Sequence, residues 1–541
     1  MKIKYIIIVL CFMTGFNTAF ANNDGWLNIL NEGGNNKGIK CTEAIQKAIE
    51  KASQNGGGTV FFPAGEYLTG ALKLKSNITI YLDSGALLKF SDNFEDYLPF
   101  VEMRYEGIVM QSFSPLFYAK DVENITIKGR GVIDGQGKAW WNEVYRIESA
   151  KEPIPLTKYQ TMWLEQNKEI VYSSYYQRTI DKKFFRPAFF QSFNCKNILI
   201  EGVTFQNSPF WTINPVFCDN ITITGITIFN PHSPNTDGIN PSSCKNVHIS
   251  NCHISVGDDC ITIKSGRDED GRKYGRPTEN VTITNCTMLS GHGGVVIGSE
   301  MSGGIKKITI SNCVFDGTDR GIRIKSARGR GGVVEDIRVD NIVMKDIKQE
   351  AIVLNLFYDK DTKAEAVTEK TPVFRNIHMS NITGTNINQA GMIVGIAEMP
   401  IQNISFSNIN MDAKEGFTVS TTSDVEFHDV KVNASMGSSF KISDSKNLIL
   451  DNVGSSTPIK GIPVIKLDNV SNMMINNNFP FNATDIFIEA DGKETKAVYL
   501  KNNVFNNVDT VVKKGKDLDK KAIILPPAPS ERGGVETGKM K

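Results

Sequence analysis

The chain of 541 residues has almost no net charge, with 60 Lys and Arg against 59 Asp and Glu. That balance excludes the broad basic face a nucleic-acid binder needs, so no nucleic-acid partner is expected. Any anionic ligand has to be held by a local cluster of cations, not by a global field. Beyond residue 21 there is no apolar run near the ~20 residues that span a bilayer, so no membrane insertion is expected of the processed chain. General disorder is excluded too, because 40% of the residues are hydrophobic. What the sequence has in excess is turn chemistry: 48 Asn and 46 Gly describe a chain that reverses often and regularly.

Residues 1–21 read as a secretory signal. Lys2 and Lys4 give a basic start, residues 6–12 an apolar run, and Ala19-Phe20-Ala21 a small-x-small cleavage site. The expectation is export to the periplasm or the medium. Removing the two lysines leaves 58 basic and 59 acidic residues, a net of −1.

A short motif, Asn-(Ile/Val)-x-(apolar), begins at Asn77, Asn124, Asn197, Asn220, Asn246, Asn280, Asn376, Asn403 and Asn447, with degenerate copies at Lys307, Asp336 and Asp424. From Asn197 onward the steps are 23, 26, 34, 27, 29, 40, 27, 21 and 23 residues. A period in the twenties with inserted loops is a solenoid signature. Apolar residues alternate within each copy, as in Ile221-Thr222-Ile223, which is a strand pattern. Short strands joined by turns in every coil predict an all-β fold, a right-handed parallel β-helix whose coils rise about 4.8 Å and stack like residues into columns. The cysteines fall into two such columns. Cys195, Cys218 and Cys244 each precede a motif Asn by two residues, whereas Cys252, Cys286 and Cys313 each follow an Asn. Buried stacked thiols are therefore favoured over a disulfide framework.

Three regions depart from the repeat. Residues 41–54 have helical spacing and stop at Gly56-Gly57-Gly58, as expected of a helix capping the solenoid's open end. Residues 138–190 interrupt the ladder with aromatics, among them Trp140, Trp141, Tyr159, Trp163, Tyr172, Phe184 and Phe185, and are expected to wall a groove. Residues 513–541 are lysine-rich, then proline-rich, and are expected to leave the solenoid. The domain reading is a signal (1–21), one β-helix catalytic domain (22–512) and a tail (513–541). The pattern specifies no oligomeric state.

The densest polar motifs lie in order between 231 and 330: Asn235-Thr236-Asp237-Gly238, Gly257-Asp258-Asp259-Cys260, Gly291-His292-Gly293 and Arg323-Ile324-Lys325. Asp237, Asp258, His292 and Arg323 are separated by 21, 34 and 31 residues. Those steps are coil lengths, so four successive coils bring the groups into one patch. Any one of these motifs alone is an ordinary turn, loop or surface strand. Carboxylates on adjacent coils repel, so at least one holds its proton to higher pH, which yields the acid and base that glycosidic cleavage needs. Between residues 319 and 330, five of twelve residues are Arg or Lys and one is acidic. The neutral total thus conceals a cationic strip beside an acid cluster.

These four motifs resemble those of the polygalacturonases, glycoside hydrolase family 28, right-handed parallel β-helix enzymes. Asn207-Ser208-Pro209-Phe210-Trp211, Lys264-Ser265-Gly266-Arg267-Asp268-Glu269 and Gly298-Ser299-Glu300-Met301-Ser302-Gly303-Gly304 carry the similarity further. The resemblance implies Asp258 as general acid, Asp237 and Asp259 as the carboxylates that activate water, and His292 as support for the acid's protonation. It implies substrate binding by Asn235, and Arg323 and Lys325 as the cations that hold a uronate beside the scissile bond. A fork of guanidinium donors suits a carboxylate, and an ammonium adds a point charge. The implied activity is metal- and cofactor-free hydrolysis of α-1,4-galacturonan, an anionic pectic polysaccharide, with inversion and from a chain end. Alternatives are endo action, a rhamnogalacturonan or xylogalacturonan substrate, a calcium-dependent pectate lyase, and a non-catalytic glycan-binding β-helix. The carboxylate spacing alone, one coil rise, is nearer that of retaining enzymes than of inverting ones.

Overall fold

The computed structural model describes residues 25–152, 154–171, 175–230, 233–358 and 363–525. The expected signal at 1–21, Tyr172 and residues 526–541 of the expected tail lie outside the described residues. Strands stack coil on coil, all parallel, into a right-handed β-helix. Three faces recur. The first runs through Asp219–Thr224, Lys245–Ser250, Thr278–Thr284 and Ile305–Asp316. The second runs through Thr227–Asn230, His253–Val256 and Thr287–Ser290. The third, which carries the site, runs through Asp259–Ile263, Gly293–Gly298, Ile322–Lys325 and Glu350–Asn355.

The repeat motif works through its backbone. Every motif position, from Asn77 to Asn447 and including Lys307, Asp336 and Asp424, sits in the left-handed region with φ between 53° and 64°. Asparagine tolerates that conformation better than other side chains bearing a Cβ. Its amide then links the coils, each Nδ2 donating to the Oδ1 one coil before: Asn124 to Asn77 (2.7 Å), Asn197 to Asn124 (2.9 Å), Asn220 to Asn197 (3.0 Å), Asn246 to Asn220 (3.0 Å) and Asn280 to Asn246 (3.0 Å). The alternate residues point inward, so Ile221, Val247, Val281 and Ile308 form one buried apolar column. The eight described cysteines are all buried, and none is in a disulfide. Cys218, Cys252, Cys286 and Cys313 each donate to the carbonyl two residues earlier (3.1–3.3 Å).

The capping helix spans Thr42–Gln54 and buries Ile45, Ala48, Ile49 and Ala52 over the first coils. Two expectations need correction. The aromatic insertion folds into helices Lys138–Glu148 and Lys158–Gln166 around Trp140 and Trp163, both fully buried, and among the described residues none of it lines the cleft that holds the acid cluster. It packs instead behind an antiparallel hairpin, Val101–Tyr105 with Ile108–Ser112, whose turn brings Glu106 to the wall of the cleft that holds the acids. Asn167 clamps Gln111 in both directions (2.7 and 2.9 Å), and Trp163 Nε1 donates to Met110 Sδ (3.3 Å). The solenoid also continues past residue 512. Val508–Lys514 pairs with Thr484–Asp491, and Ile523–Ile524 pairs with Lys496–Lys501. The lysines there sit on outward positions of regular strands, as Lys513 does opposite Glu489 (2.8 Å). Among the described residues no helix is long and apolar enough to cross a membrane.

Candidate active site

The four motifs meet on the third face. Ile213, Ile239 and Ile261 bridge in register, then Ile261 pairs with Val295 and Val295 with Ile322, so the motif turns stack above one another. Asn235 turns the chain with φ 50°, and Arg186 Nη2 donates to its Oδ1 (2.7 Å). Asp237 follows, 3% exposed, with Thr262 Oγ1 at 3.4 Å from its Oδ2. Asp258 Oδ1 accepts from the Asp259 amide (2.9 Å) and lies 3.3 Å from His292 Nδ1. The His292 amide in turn donates to the Asp258 carbonyl (2.9 Å). Gly291 makes that approach possible, because a Cβ there would lie 2.5 Å from the same carbonyl. Asp259, 1% exposed, is ion-paired through Oδ2 with Lys325 (2.9 Å), and Arg323 stands 3.9 Å from its Oδ1.

One oxygen from each of Asp237, Asp258 and Asp259 lies within 4.8 Å of the others. Side chains supply counter-charge to this cluster. Burial, then the neighbouring Asp258 charge, pushes the Asp237 carboxyl well above the usual carboxylate range. Burial also works against the Asp258 anion, but the His292 bond and the His292, Lys325 and Lys264 charges outweigh it and hold that carboxyl low. The bond to Asp258 raises the His292 imidazole above its ordinary value despite partial burial. Asp237 and His292 therefore both keep their protons to higher pH than they would in isolation, the property that acid–base chemistry draws on.

All seven residues singled out in the sequence line one cleft of about 530 Å³. Others join them. Lys264 is buried, ion-paired with Glu300 (2.7 Å), and its ammonium lies 4.6 Å from the centre of the Trp211 ring. Although burial opposes its charge, Glu300, Asp237 and Asp259 hold the ammonium above its usual range. Lys264 was legible by alternation, standing two residues beyond Thr262 on the outward side. Glu106 and Tyr358 carried no sequence signal, because they arrive on loops inserted between coils. A second cleft of about 690 Å³ lies behind the hairpin and contains none of the three aspartates.

Residues 173–426 match the family described as Glycosyl hydrolases family 28, and residues 26–152 match one described as Rhamnogalacturonase A/epimerase, pectate lyase-like. A Vitis vinifera protein named "Probable polygalacturonase" is 33% identical over 398 residues, 71% of this chain and 74% of its own. The Dickeya chrysanthemi exo-poly-alpha-D-galacturonosidase is 28% identical over 442 residues, 76% of this chain and 71% of its own. The crystal structure of a hyperthermoactive exopolygalacturonase from Thermotoga maritima superposes with a TM-score of 0.68 at 35% identity, covering 75% of this chain and 91% of that one.

Proposed function

This chain belongs to glycosyl hydrolase family 28 and hydrolyses polygalacturonan, and from that premise we propose that it cuts from a chain end with Asp258 as its acid. Asp258 gives its proton to the glycosidic oxygen as the bond to the anomeric carbon breaks. Water adds to that carbon and loses its proton to the Asp237–Asp259 pair, in which Asp259 carries the charge opposite Lys325. His292 supports the acid's proton supply. Arg323, beside Lys325, holds the uronate carboxylate next to the cut, and Asn235 binds the sugar through the amide nitrogen left over from Arg186. Export follows from the first 21 residues, and the polysaccharide is the partner.

The observation that carries the assignment is the joining of three carboxylates, two of them buried, a histidine and paired cations in one cleft. Inversion follows from the family, against a carboxylate approach shorter than the ~6.5–9.5 Å that usually leaves room for water. One observation favours a second reading: Asp237 is held above the usual carboxylate range and Asp258 below it, the order expected if Asp237 is the proton donor. An aryl galacturonide, whose leaving group needs no protonation, separates the two. Asp258→Asn is expected to lose about 10²–10⁴-fold on polygalacturonate and to keep most of its aryl activity, with the β-anomer released first by wild type. Aryl activity spared by Asp237→Asn and lost in Asp258→Asn reverses the roles.

A further inference from the structure

Five coils past Arg323, the stack of Ile322, Ile352, Gly391, Phe417, Phe440 and Ile465 carries the third face about 24 Å along the solenoid axis. There Asn477 turns the chain at φ 56°, and residues 478–483 form a loop before Thr484–Asp491 rejoins the ladder. Asparagine amides fix this loop. Asn478 Oδ1 accepts from the Val453 amide (2.8 Å), and its Nδ2 donates to Asn503 Oδ1 (2.9 Å). Asn507 Nδ2 donates to the Pro480 and Phe481 carbonyls (3.2 and 2.9 Å), and Asn482 Nδ2 donates to the Ser456 carbonyl. Phe481 is 78% exposed, more than any other large hydrophobic side chain among the described residues. Phe479 meets it edge to face, with ring centroids 4.7 Å apart. A ring left in water gains the fold no burial energy, yet the bonds to Asn507 hold this one outward.

The two rings line a small hollow of about 50 Å³, together with Lys431, Gly454, Ser455 and Asn482. A Cβ on Gly454 would find no atom within 4 Å except Lys431 Nζ, at 3.9 Å, so the ammonium faces open space. Its hydrogen-bond partner is a neutral oxygen, Asn452 Oδ1 (3.1 Å). Burial pushes the ammonium below its usual range, although the Asp429 charge opposes that shift. The hollow therefore joins a half-buried cation short of counter-charge to exposed aromatic rings.

Galacturonate has the matching chemistry. Its galacto configuration places the C–H bonds at C3, C4 and C5 on one face, an apolar patch suited to an aromatic ring. The carboxylate on C5 supplies the counter-charge that Lys431 lacks. The hollow has room for a few waters or one carboxylate, so the pyranose itself lies outside, against Phe481. We propose that the hollow between Lys431 and Phe481 is a second, non-catalytic galacturonate-binding site, which holds the enzyme on its polymer away from the acids. This rests on the galacturonan reading above.

The test is equilibrium dialysis of trigalacturonate against the Asp258→Asn enzyme, in which cutting of the ligand is slowed. Two ligands per chain are expected, falling to one when Phe481→Ala or Lys431→Gln is added. Phe481→Tyr, which keeps a ring, is expected to bind two. A neutral galactose trisaccharide is expected to leave the second site empty. One trigalacturonate per chain in the Asp258→Asn parent, or two in either Phe481→Ala or Lys431→Gln, overturns the second site. Equal filling of that site by the neutral trisaccharide overturns the role of Lys431. No binding by the parent, with no reducing ends released from polygalacturonate by wild type, overturns instead the galacturonan reading.

Discussion

Among the site's residues, Asp237 bears the largest conflict between stability and function. Its neutral form is favoured by burial and by Asp258, so its folded value lies above the unfolded 3.8. A carboxyl shifted in that direction contributes stability that is fully present below the unfolded value and is lost as pH rises through the folded one. Asp237→Asn is therefore expected to melt higher than wild type at neutral pH, with the gap closing as pH falls toward 3.8. Thermal denaturation at stepped pH checks this, and a gap that widens on acidification contradicts it. The identities of Asp237, Asp258, Asp259, His292, Arg323 and Lys325 were legible because their spacings are coil lengths, and a solenoid converts sequence period into spatial adjacency. The direction of the proton was not. Which carboxyl is neutral depends on burial and on Lys264, whose distance from each acid no spacing reveals.

At the scale of the element, the asparagine column explains why the coils repeat with such regular turns. The left-handed φ of Asn220 (59°) and its two amide bonds to Asn197 and Asn246 act together. Asn220→Ala is expected to cost about 1–3 kcal/mol, combining the left-handed penalty with lost hydrogen bonds. Asn220→Gly, which keeps the backbone and loses only the amide, is expected to cost less. Denaturant unfolding of the two variants checks the order, and equal losses would assign the whole effect to the amide. Strands and the capping helix could be read from period alone. The hairpin at Val101–Ser112 could not, because its placement comes from the bonds of Arg104 to Ser243 and Asp270, some 139 and 166 residues away. The aromatic insertion was visible as a departure from the ladder, but its rings pack on one another and on the hairpin, so its bulk supports the wall without lining the groove.

The whole molecule is one solenoid whose near-zero charge hides a local division of sign. Lys264, Arg323 and Lys325 face three aspartates inside a single cleft, while elsewhere on the surface opposite charges meet in pairs such as Lys51–Glu32 and Arg375–Glu335. The right-handed β-helix was legible from the Asn period. Its continuation past residue 512 was not, because lysines such as Lys513 at outward strand positions look, in sequence, like a frayed tail. The central claim is hydrolysis of galacturonan by this acid cluster. The most direct measurement is proton NMR of a polygalacturonate digest run in excess chelator, with Asp258→Asn as control. Saturated galacturonate formed at an undiminished rate by wild type, and none by the variant, is the predicted result. Loss of activity with chelator, or a 4,5-unsaturated product, would contradict it.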